Sequence, residues 1–334
     1  MRLSGIFRRR TGRFTARAGA VVFAVAGMAA LAQGAKPVVL TVGGAHGKYR
    51  QVQAAVNAAA AFDGRPVEIK IAPGTYHELV LVPSHDRDLT LRGAGAKSTI
   101  ITFNLGAKDK GPSGKSIGTF HTSTVTILGR HITAEGISFV NSYGKGSQAV
   151  AVRTGGGPVI FRHCRFIAWQ DTLYVHNPRA RIYFSHCFIQ GAIDFIFGKS
   201  IAVFNHCVIR TVSTVPGTCL TAPATPKSQR YGLVFLHCRV KAGKQVKKGS
   251  VYLGRPWRKY GATLLVDCHL PAAIAPAGWR NWEGTDYYKT ARFAEFNSTG
   301  PGAHAGRRAA WSHQLSAATA KTLTPRSILG PGNW

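Results

Sequence analysis

Short strand-like segments recur between residues 148 and 268, and the same apolar phrase returns in each repeat. The phrase combines β-branched, aromatic and leucine residues and ends in a cysteine, and successive cysteines lie 23, 20, 31 and 30 residues apart. Glycine, asparagine and proline interrupt the runs, which is typical of a solenoid built from short strands. The pattern therefore predicts an all-β fold, a right-handed parallel β-helix in which each coil lies on the one before it. The repeated cysteines are Cys164, Cys187, Cys207, Cys238 and Cys268.

Stacked coils convert sequence spacing into distance, because residues one coil apart lie at the strand spacing of about 4.8 Å. Gln148 and Gln170 are 22 residues apart, and Asp171 and Asp194 are 23 residues apart, so each pair spans one coil. We expect these four side chains to converge on one face. Arg255 follows two longer intervals and should lie two coils beyond Asp194, about 10 Å along the stack. A long arginine side chain can cross that separation.

The two ends of the repeat differ from its middle. Residues 49–62 are alanine-rich with apolar residues at helical spacing, which predicts a helix that caps the open end of the solenoid. Residues 104–118 are polar and glycine-rich and predict a loop, and residues 119–125 resume a strand-like pattern. From Gly278 onward the repeat fades, so we expect an irregular tail with short helix along the side of the solenoid.

The first 35 residues have the pattern of an export signal. A basic region at residues 8–17 precedes an apolar run at residues 18–31, which is short for a membrane span. Ala32 or Ala35 would end the signal, and an uncleaved membrane anchor is the alternative. We therefore expect a signal peptide at residues 1–35, one β-helix domain at 36–334 without a membrane span, and export to the periplasm or the medium.

The net charge of the chain limits the classes of partner that we expect it to bind. The 334 residues carry a net charge of +30, and six arginines of the first 35 residues account for only a small part of it. Such a surface favours polyanions. Lysine and arginine are scattered and no nucleic-acid-binding motif is present, so we expect an acidic polysaccharide or an anionic cell envelope and not nucleic acid.

The cysteines allow two interpretations. Five of them occupy the same slot of successive repeats, which favours a buried ladder of small apolar side chains. Stacked positions are also close enough for disulfides, which leaves pairing open. Cys219 stands outside the repeat, and no spacing in the sequence suggests a metal site.

Two carboxylates stand out among the 13 acidic residues of the chain. Asp171 and Asp194 lie inside apolar strand phrases, where a charge is costly without a partner. Each alone could cap a turn or pair with an arginine. Together, with two glutamines one coil apart and Arg255 within reach, they favour a catalytic site.

Carboxylates this close do not readily ionise together, so the pKa of one should rise, while an arginine keeps the other anionic. This gives one nucleophile and one acid, and the amide groups supply donors for an oxyanion. An oxyanion indicates acyl transfer and not glycosidic cleavage, which passes through an oxocarbenium-like state.

Four segments in this order resemble the signature of the pectin methylesterase family. They are Gln148-Ala-Val-Ala, Gln170-Asp-Thr-Leu-Tyr, Asp194-Phe-Ile-Phe-Gly and Leu253-Gly-Arg-Pro-Trp. The resemblance covers residues 38–334, and the long later coils look more like the bacterial branch of the family than the plant branch. It implies a right-handed β-helix that hydrolyses the methyl esters of polygalacturonate and releases methanol.

The resemblance also implies the roles of individual residues. Asp194 would be the nucleophile and Asp171 the general acid and then base, with Gln148 and Gln170 holding the oxyanion. Arg255 would orient Asp194. The resemblance implies no metal or organic cofactor, and we expect a monomer acting on pectin. The substrate contacts that it implies are Thr119, Gln148, Phe197, Arg255 and Trp257, with Tyr174 as a further ring for sugar stacking.

Three other functions compete with the esterase. A polygalacturonase or lyase on the same fold is disfavoured, because the sequence lacks a Gly-His-Gly segment, two directly adjacent aspartates and an acidic cluster for calcium. A non-catalytic polysaccharide-binding solenoid would be indifferent to loss of Asp194. A relative that acts on acyl thioesters is disfavoured by the complete set of two glutamines, two aspartates and one arginine.

Overall fold

The computed structural model describes residues 36–62, 64–332 and 334. Three parallel sheets run along these residues, one of eleven strands and two of seven. Each regular coil contributes one strand to each sheet in the order sheet 1, sheet 2, sheet 3, and each strand pairs in parallel with its equivalent one coil away. The predicted parallel β-helix is confirmed.

The strands of the three sheets are short, two to six residues each. Sheet 1 comprises β1 (Val38–Val42), β2 (Val67–Ile71), β5 (Leu89–Gly93), β8 (Ile132–Glu135), β11 (Val159–Arg162), β14 (Arg181–Ser185), β17 (Ile201–Asn205), β20 (Leu233–Leu236), β23 (Ala262–Val266), β24 (Arg292–Phe296) and β25 (His313–Gln314). Sheet 2 comprises β3 (Gly74–His77), β6 (Thr99–Phe103), β9 (Ser138–Asn141), β12 (Arg165–Ile167), β15 (Phe188–Gly191), β18 (Val208–Thr211) and β21 (Arg239–Ala242). Sheet 3 comprises β4 (Val80–Val82), β7 (Val125–Ile127), β10 (Val152–Thr154), β13 (Leu173–Val175), β16 (Ile196–Gly198), β19 (Thr218–Pro223) and β22 (Val251–Gly254).

In the core, equivalent positions of successive coils carry the same type of residue, and these side chains stack on one another. Four phenylalanines at matched positions of sheet 1 lie face to face, with ring centroids 4.5–4.9 Å apart: Phe161, Phe184, Phe204 and Phe235. Large buried rings of this kind carry much of the hydrophobic stabilisation of a fold. Because every coil repeats the same inward position, the stack also fixes the register between coils.

The repeated cysteines form a second internal column. All of them are free and buried. Each thiol donates to a carbonyl of the preceding coil, as from Cys207 Sγ to Phe184 O at 3.5 Å and from Cys238 Sγ to Phe204 O at 3.2 Å. Of the two interpretations of the cysteines, the ladder is therefore right.

Residues in the left-handed backbone region turn the corner from sheet 1 to sheet 2. Their φ values lie between 49° and 53°, a region in which aspartate, asparagine and histidine are enriched. The four histidines among them stack outside the coils, with neighbouring ring centroids 5.0–5.4 Å apart. We call this set the outer corner row: His163, His186, His206, His237, Asp267 and Asn297.

The predicted capping helix is present as α1 (Val52–Ala59), followed by a 3₁₀ turn at Ala60–Phe62. Its apolar side buries Val52 and Val56 against the first coils. The carboxylate of Glu78 caps its N-terminus and accepts the N–H groups of Val52 at 2.8 Å and Gln53 at 2.9 Å. A side chain more than twenty residues away thus satisfies donors that the first helical turn leaves free.

Two segments differ from the sequence expectation. The strand-like run at residues 119–125 begins instead with a 3₁₀ turn at Thr119–His121, and the strand starts only at Val125. Past Gly278 the repeat fades in sequence, yet sheet 1 continues through β24 and β25. Two short helices, α2 (Ala317–Lys321) and α3 (Pro325–Leu329), then pack on the outer side of sheet 1.

The predicted signal peptide at residues 1–35 lies outside the described residues and stays a prediction. In the part of the chain that the structure describes, no helix combines the length and hydrophobicity needed to cross a membrane.

Candidate active site

The corner from sheet 2 to sheet 3 gathers the predicted site residues. Gln148 and Gln170 pair as neighbouring rungs, and Gln170 pairs in turn with Ile193. The register of β13 with β16 places Asp171 next to Asp194, each two residues before its strand. The sequence prediction that one-coil spacing brings these residues together is confirmed. Both aspartates have positive φ, 65° and 47°, like the outer corner row.

Asp194 is fixed by burial and by hydrogen bonds to both its backbone and its side chain. The side chain is buried, and the backbone N–H donates to the carbonyl of Cys219 at 2.8 Å. Arg255, two coils further along, donates from Nε to Oδ1 at 3.1 Å and from Nη2 to Oδ2 at 2.6 Å. Such a fork is the strong, oriented form of an arginine–carboxylate pair. The ring of Trp282 lies 4.2 Å from the guanidinium of Arg255 and covers its other side.

The pKa values of the two carboxyl groups are shifted to different extents. Burial raises the pKa of Asp171 well above its usual value, and the charge of Asp194 raises this pKa further. Burial also raises the pKa of Asp194, but the hydrogen bonds and charge of Arg255 oppose that rise and keep it smaller than at Asp171. Asp171 is therefore the group that more readily holds a proton, and Asp194 is the one that more readily ionises.

Gln170 directly precedes Asp171 in the chain, and Gln148 is the neighbour of Gln170 one coil earlier. Both glutamines are partly exposed. Over the residues that the structure describes, no hydrogen bond occupies either amide group. Their N–H groups are thus available to a bound oxyanion.

Aromatic rings form a wall beside the aspartates on the outer side of sheet 3. Tyr174 and Phe197 stack at 4.6 Å between centroids, because they occupy paired positions of β13 and β16. Phe120 stacks on the other side of Tyr174 at 5.1 Å and is 41% exposed. Trp257 meets Phe197 edge to face at 5.8 Å. The wall is open to solvent at Phe120 and Trp257, which suits the apolar faces of sugar rings.

Cations surround this wall. Charges of Arg153 and Arg258 oppose the burial that raises the pKa of Tyr174. Arg280, which donates to the carbonyl of Gly217 at 2.6 Å, adds a positive charge near Asp194. The surroundings of the two aspartates thus favour an anionic ligand.

The structure adds residues to the site that the sequence analysis missed, and it places one predicted substrate contact, Thr119, at the edge of the site. Thr119 begins the 3₁₀ turn that carries Phe120, and it lies at the rim of the wall. Phe120 and Trp282 join the site, and no catalytic or binding role was predicted for either from the sequence. Cys219, which no repeat explained, supplies the carbonyl that fixes Asp194.

Metal chemistry has no candidate ligand set here. Within residues 36–62, 64–332 and 334, no three His, Cys, Asp or Glu side chains are grouped to hold a metal ion. The site combines a carboxyl group that ionises more readily, a carboxyl group that holds its proton more readily, two amides and an arginine. That set can form and break an acyl bond through an oxyanion.

Comparison with known proteins points to one family. The Pectinesterase family model matches residues 38–332. Pectinesterase 5 of Arabidopsis thaliana is 34% identical over 86% of this chain and 49% of its own length, so the chain spans about half of that relative. Pectinesterase 31 of the same plant is 35% identical over 85% of this chain and 90% of its own length.

Solved structures give the same result. A pectin methylesterase from carrot has a TM-score of 0.82 and 33% identity, covering 90% of this chain and 95% of its own. One from Erwinia chrysanthemi has a TM-score of 0.77 and 27% identity, covering 90% and 98%. The plant structure thus has the higher identity, and the expected bacterial character is not supported. Because the family model matches nearly the whole of its described length and the solved structures share its fold, this chain belongs to the pectinesterase family.

Proposed function

We propose that this chain is a pectin methylesterase that hydrolyses the methyl esters of polygalacturonate and releases methanol. One observation carries the proposal. Asp194 is gripped by the guanidinium fork of Arg255, and Asp171, whose pKa is raised by burial, lies one coil away. This is the pairing of nucleophile and acid that ester hydrolysis without a metal requires.

In the first step, a carboxylate oxygen of Asp194 attacks the C6 carbonyl carbon of a methylated galacturonate. The carbonyl oxygen becomes an oxyanion and accepts N–H groups from Gln148 and Gln170. The carbon–methoxy bond then breaks, and Asp171 gives its proton to the departing methoxide. Methanol leaves, and an acyl-enzyme anhydride remains on Asp194.

In the second step, Asp171 is a carboxylate and takes a proton from water. The hydroxide attacks the acyl carbon, the oxyanion again rests on the two amides, and the bond to Asp194 breaks. The freed galacturonic acid unit leaves and loses its proton to water, Asp194 returns as a carboxylate and Asp171 returns as an acid. Arg255 stabilises Asp194 when its charge is restored and keeps its oxygens pointed at the substrate.

The substrate lies along the aromatic wall. Phe197 and Trp257 would stack on sugar rings, Thr119 would contact the chain at the rim, and Gln148 and Arg255 would contact the reacting unit. A solved pectin methylesterase that is 27% identical to this chain is in complex with a hexasaccharide, which supports an oligogalacturonate ligand. The pattern of residues 1–35 supports export, to the periplasm or the medium, and we propose that the chain acts as a monomer.

The test is methanol release from methylated pectin by the wild-type chain and by Asp194→Ala. We expect release without shortening of the polymer in the wild type, and none in the variant. Methanol release by Asp194→Ala at the wild-type rate would refute the mechanism. Shortening of the polymer by the wild type would indicate a lyase or polygalacturonase instead.

A further inference from the structure

The outer side of sheet 2 carries cations on three of four neighbouring strands, β12, β18 and β21. Along β12, β15, β18 and β21, the alternate residues Phe166, Ile189, Ile209 and Val240 point into the core. Their neighbours therefore point outward. We call the outward cations the basic face: Arg165, Arg210, Arg239 and Lys241.

The basic face is not neutralised. None of the seven strands of sheet 2 contains an aspartate or glutamate. On sheet 1, by contrast, Arg92 is paired with both Glu68 and Glu135. Among the described residues, no salt bridge involves a cation of the basic face. Arg210 meets only the amide oxygen of Gln190, at 3.4 Å.

The cations are close enough to act together. Arg210 and Lys241 are register partners on adjacent strands, about 4.8 Å apart at the backbone. Arg239 is two residues from Lys241 on the same strand, about 7 Å away. Arg239 and Lys241 are exposed. The loop that follows β21 adds three more lysines without a salt-bridge partner: Lys244, Lys247 and Lys248.

The basic face also adjoins the active site. β12 ends at Ile167, four residues before Asp171, and β15 ends at Gly191, three residues before Asp194. The corner that carries the two aspartates is therefore the edge of sheet 2. A polymer that leaves the site on that side comes directly onto the basic face.

We propose that the basic face binds the carboxylates of a demethylated galacturonate segment outside the catalytic cleft. The identity of this polymer rests on the proposed function, whose reaction creates one carboxylate at each turnover. Cations spread over three strands, of which Arg239 and Lys241 are exposed and the others half-buried, fit an extended polyanion better than a small anion, which would need a pocket. Nucleic acid fits less well, because base stacking needs open aromatic rings, and the one phenylalanine ring among these cations, Phe188, is covered by Arg165 at 4.8 Å.

Binding there holds the chain on polymer that it has already demethylated. Long pectin then gains a second attachment that a short oligomer does not reach. The face therefore lowers KM for long substrates relative to short ones, and salt weakens this advantage by screening exposed charges.

The test compares two triple variants that remove the same charge. Arg210→Gln, Arg239→Gln and Lys241→Gln together remove three of the four cations of the basic face, those on β18 and β21. Arg307→Gln, Lys321→Gln and Arg326→Gln remove three exposed cations elsewhere and serve as the control. The probe is fully demethylated polygalacturonate, whose binding is measured directly and needs no catalysis. Thermal unfolding of both variants checks that they fold.

We expect the face variant to bind polygalacturonate about tenfold more weakly than the control variant, since several weak exposed contacts are lost. We also expect its KM for long pectin to rise relative to that for a methylated hexagalacturonate. Equal binding by the two variants would overturn the proposal. The proposal would also be overturned if the wild type bound single-stranded DNA more strongly than polygalacturonate and only the face variant lost this DNA binding. If the wild type releases no methanol, the proposed esterase activity is refuted. The binding comparison can still be interpreted, because it needs no catalysis.

Discussion

Two corners of the β-helix use the same backbone conformation for different purposes. The outer corner row between sheets 1 and 2 has φ values of 49–53°, and Asp171 and Asp194 between sheets 2 and 3 have φ values of 65° and 47°. At both corners the residues are those that tolerate the left-handed region, chiefly aspartate and histidine. Backbone conformation therefore does not distinguish an active-site aspartate from a structural one.

Surroundings make the distinction. The side chain of Asp267 in the outer corner row is 34% exposed and accepts a hydrogen bond from Asn297 at 2.7 Å. The side chain of Asp194 is 9% exposed and is gripped by Arg255. Burial next to a like charge is what raises the pKa of Asp171. The turn supplies the position of the carboxyl group, and packing supplies its chemistry.

The largest contrast between the corners should appear on replacing one aspartate at each. Asp194→Asn removes the nucleophile, and we expect the methanol-release rate to fall by about 10⁴-fold or more. Asp267→Asn keeps a residue that accepts the same φ and should leave the rate within about twofold, because surface changes of this kind have small effects. Steady-state methanol release measures both. Similar losses in the two variants would mean that the corner conformation, and not burial, controls activity.

Asp171→Asn should separate activity from stability. Loss of the general acid lowers the rate by about 10² to 10⁴-fold. The folded-state pKa of Asp171 is raised, so its contribution to stability is present below the unfolded pKa and is lost as pH rises through the folded value. The Asp171→Asn variant has no titrating group at this position, so it does not lose stability in this way as pH rises. Its unfolding temperature should therefore exceed that of the wild type at neutral pH, and this difference in unfolding temperature should shrink toward pH 4.

Thermal unfolding measured between pH 4 and pH 8 checks this sign. The activity of the wild type should fall at alkaline pH as Asp171 loses its proton, and at acidic pH as Asp194 gains one. An advantage of Asp171→Asn that grows on acidification would contradict the assignment of the raised pKa to Asp171.

Arg255→Lys tests the fork alone. Lysine keeps the charge but lacks the two parallel N–H groups and the flat surface that meets Trp282. We expect kcat to fall by about tenfold to a hundredfold, with a smaller change in KM, since the arginine orients the nucleophile. A rate equal to that of the wild type would show that charge near Asp194 suffices.

The smallest effect is expected within the stacked histidines of the outer corner row. His206→Asn keeps a residue suited to φ of 52°, and the imidazole it removes is exposed. We expect the free energy of unfolding to change by at most about 0.5 kcal/mol. His206→Val should cost about 1–3 kcal/mol, because a β-branched residue is strained there. Denaturant unfolding of the two variants distinguishes backbone strain from loss of ring stacking.

Much of this fold was readable from the chain because a repeat is a local signal. The returning cysteine phrase predicted stacked coils, and the one-coil intervals placed Asp171 beside Asp194 without any other information. The same argument placed Arg255 two coils beyond Asp194, where β22 brings it. A constant strand spacing explains this success, since it makes distance along the stack depend only on the number of coils.

Contacts made by segments that lack the repeat could not be predicted from the sequence. Glu78 caps α1 from outside the helix, Phe120 reaches the aromatic wall from a 3₁₀ turn, and Trp282 covers Arg255 from the tail. No interval in the sequence encodes these contacts, because each depends on how a loop or tail folds over the coils. The lack of acidic partners on the basic face likewise needed the register of sheet 2.

The sequence by itself thus determined the parallel β-helix, the alignment of the repeated cysteines in one column and the meeting of two aspartates with an arginine, and it left the pairing of those cysteines open. Only the tertiary structure decided which carboxyl group keeps its proton, which rings line the cleft and which cations remain unpaired. The physical reason is that periodic spacing specifies backbone neighbours, whereas burial and side-chain partners follow from the whole packed surface.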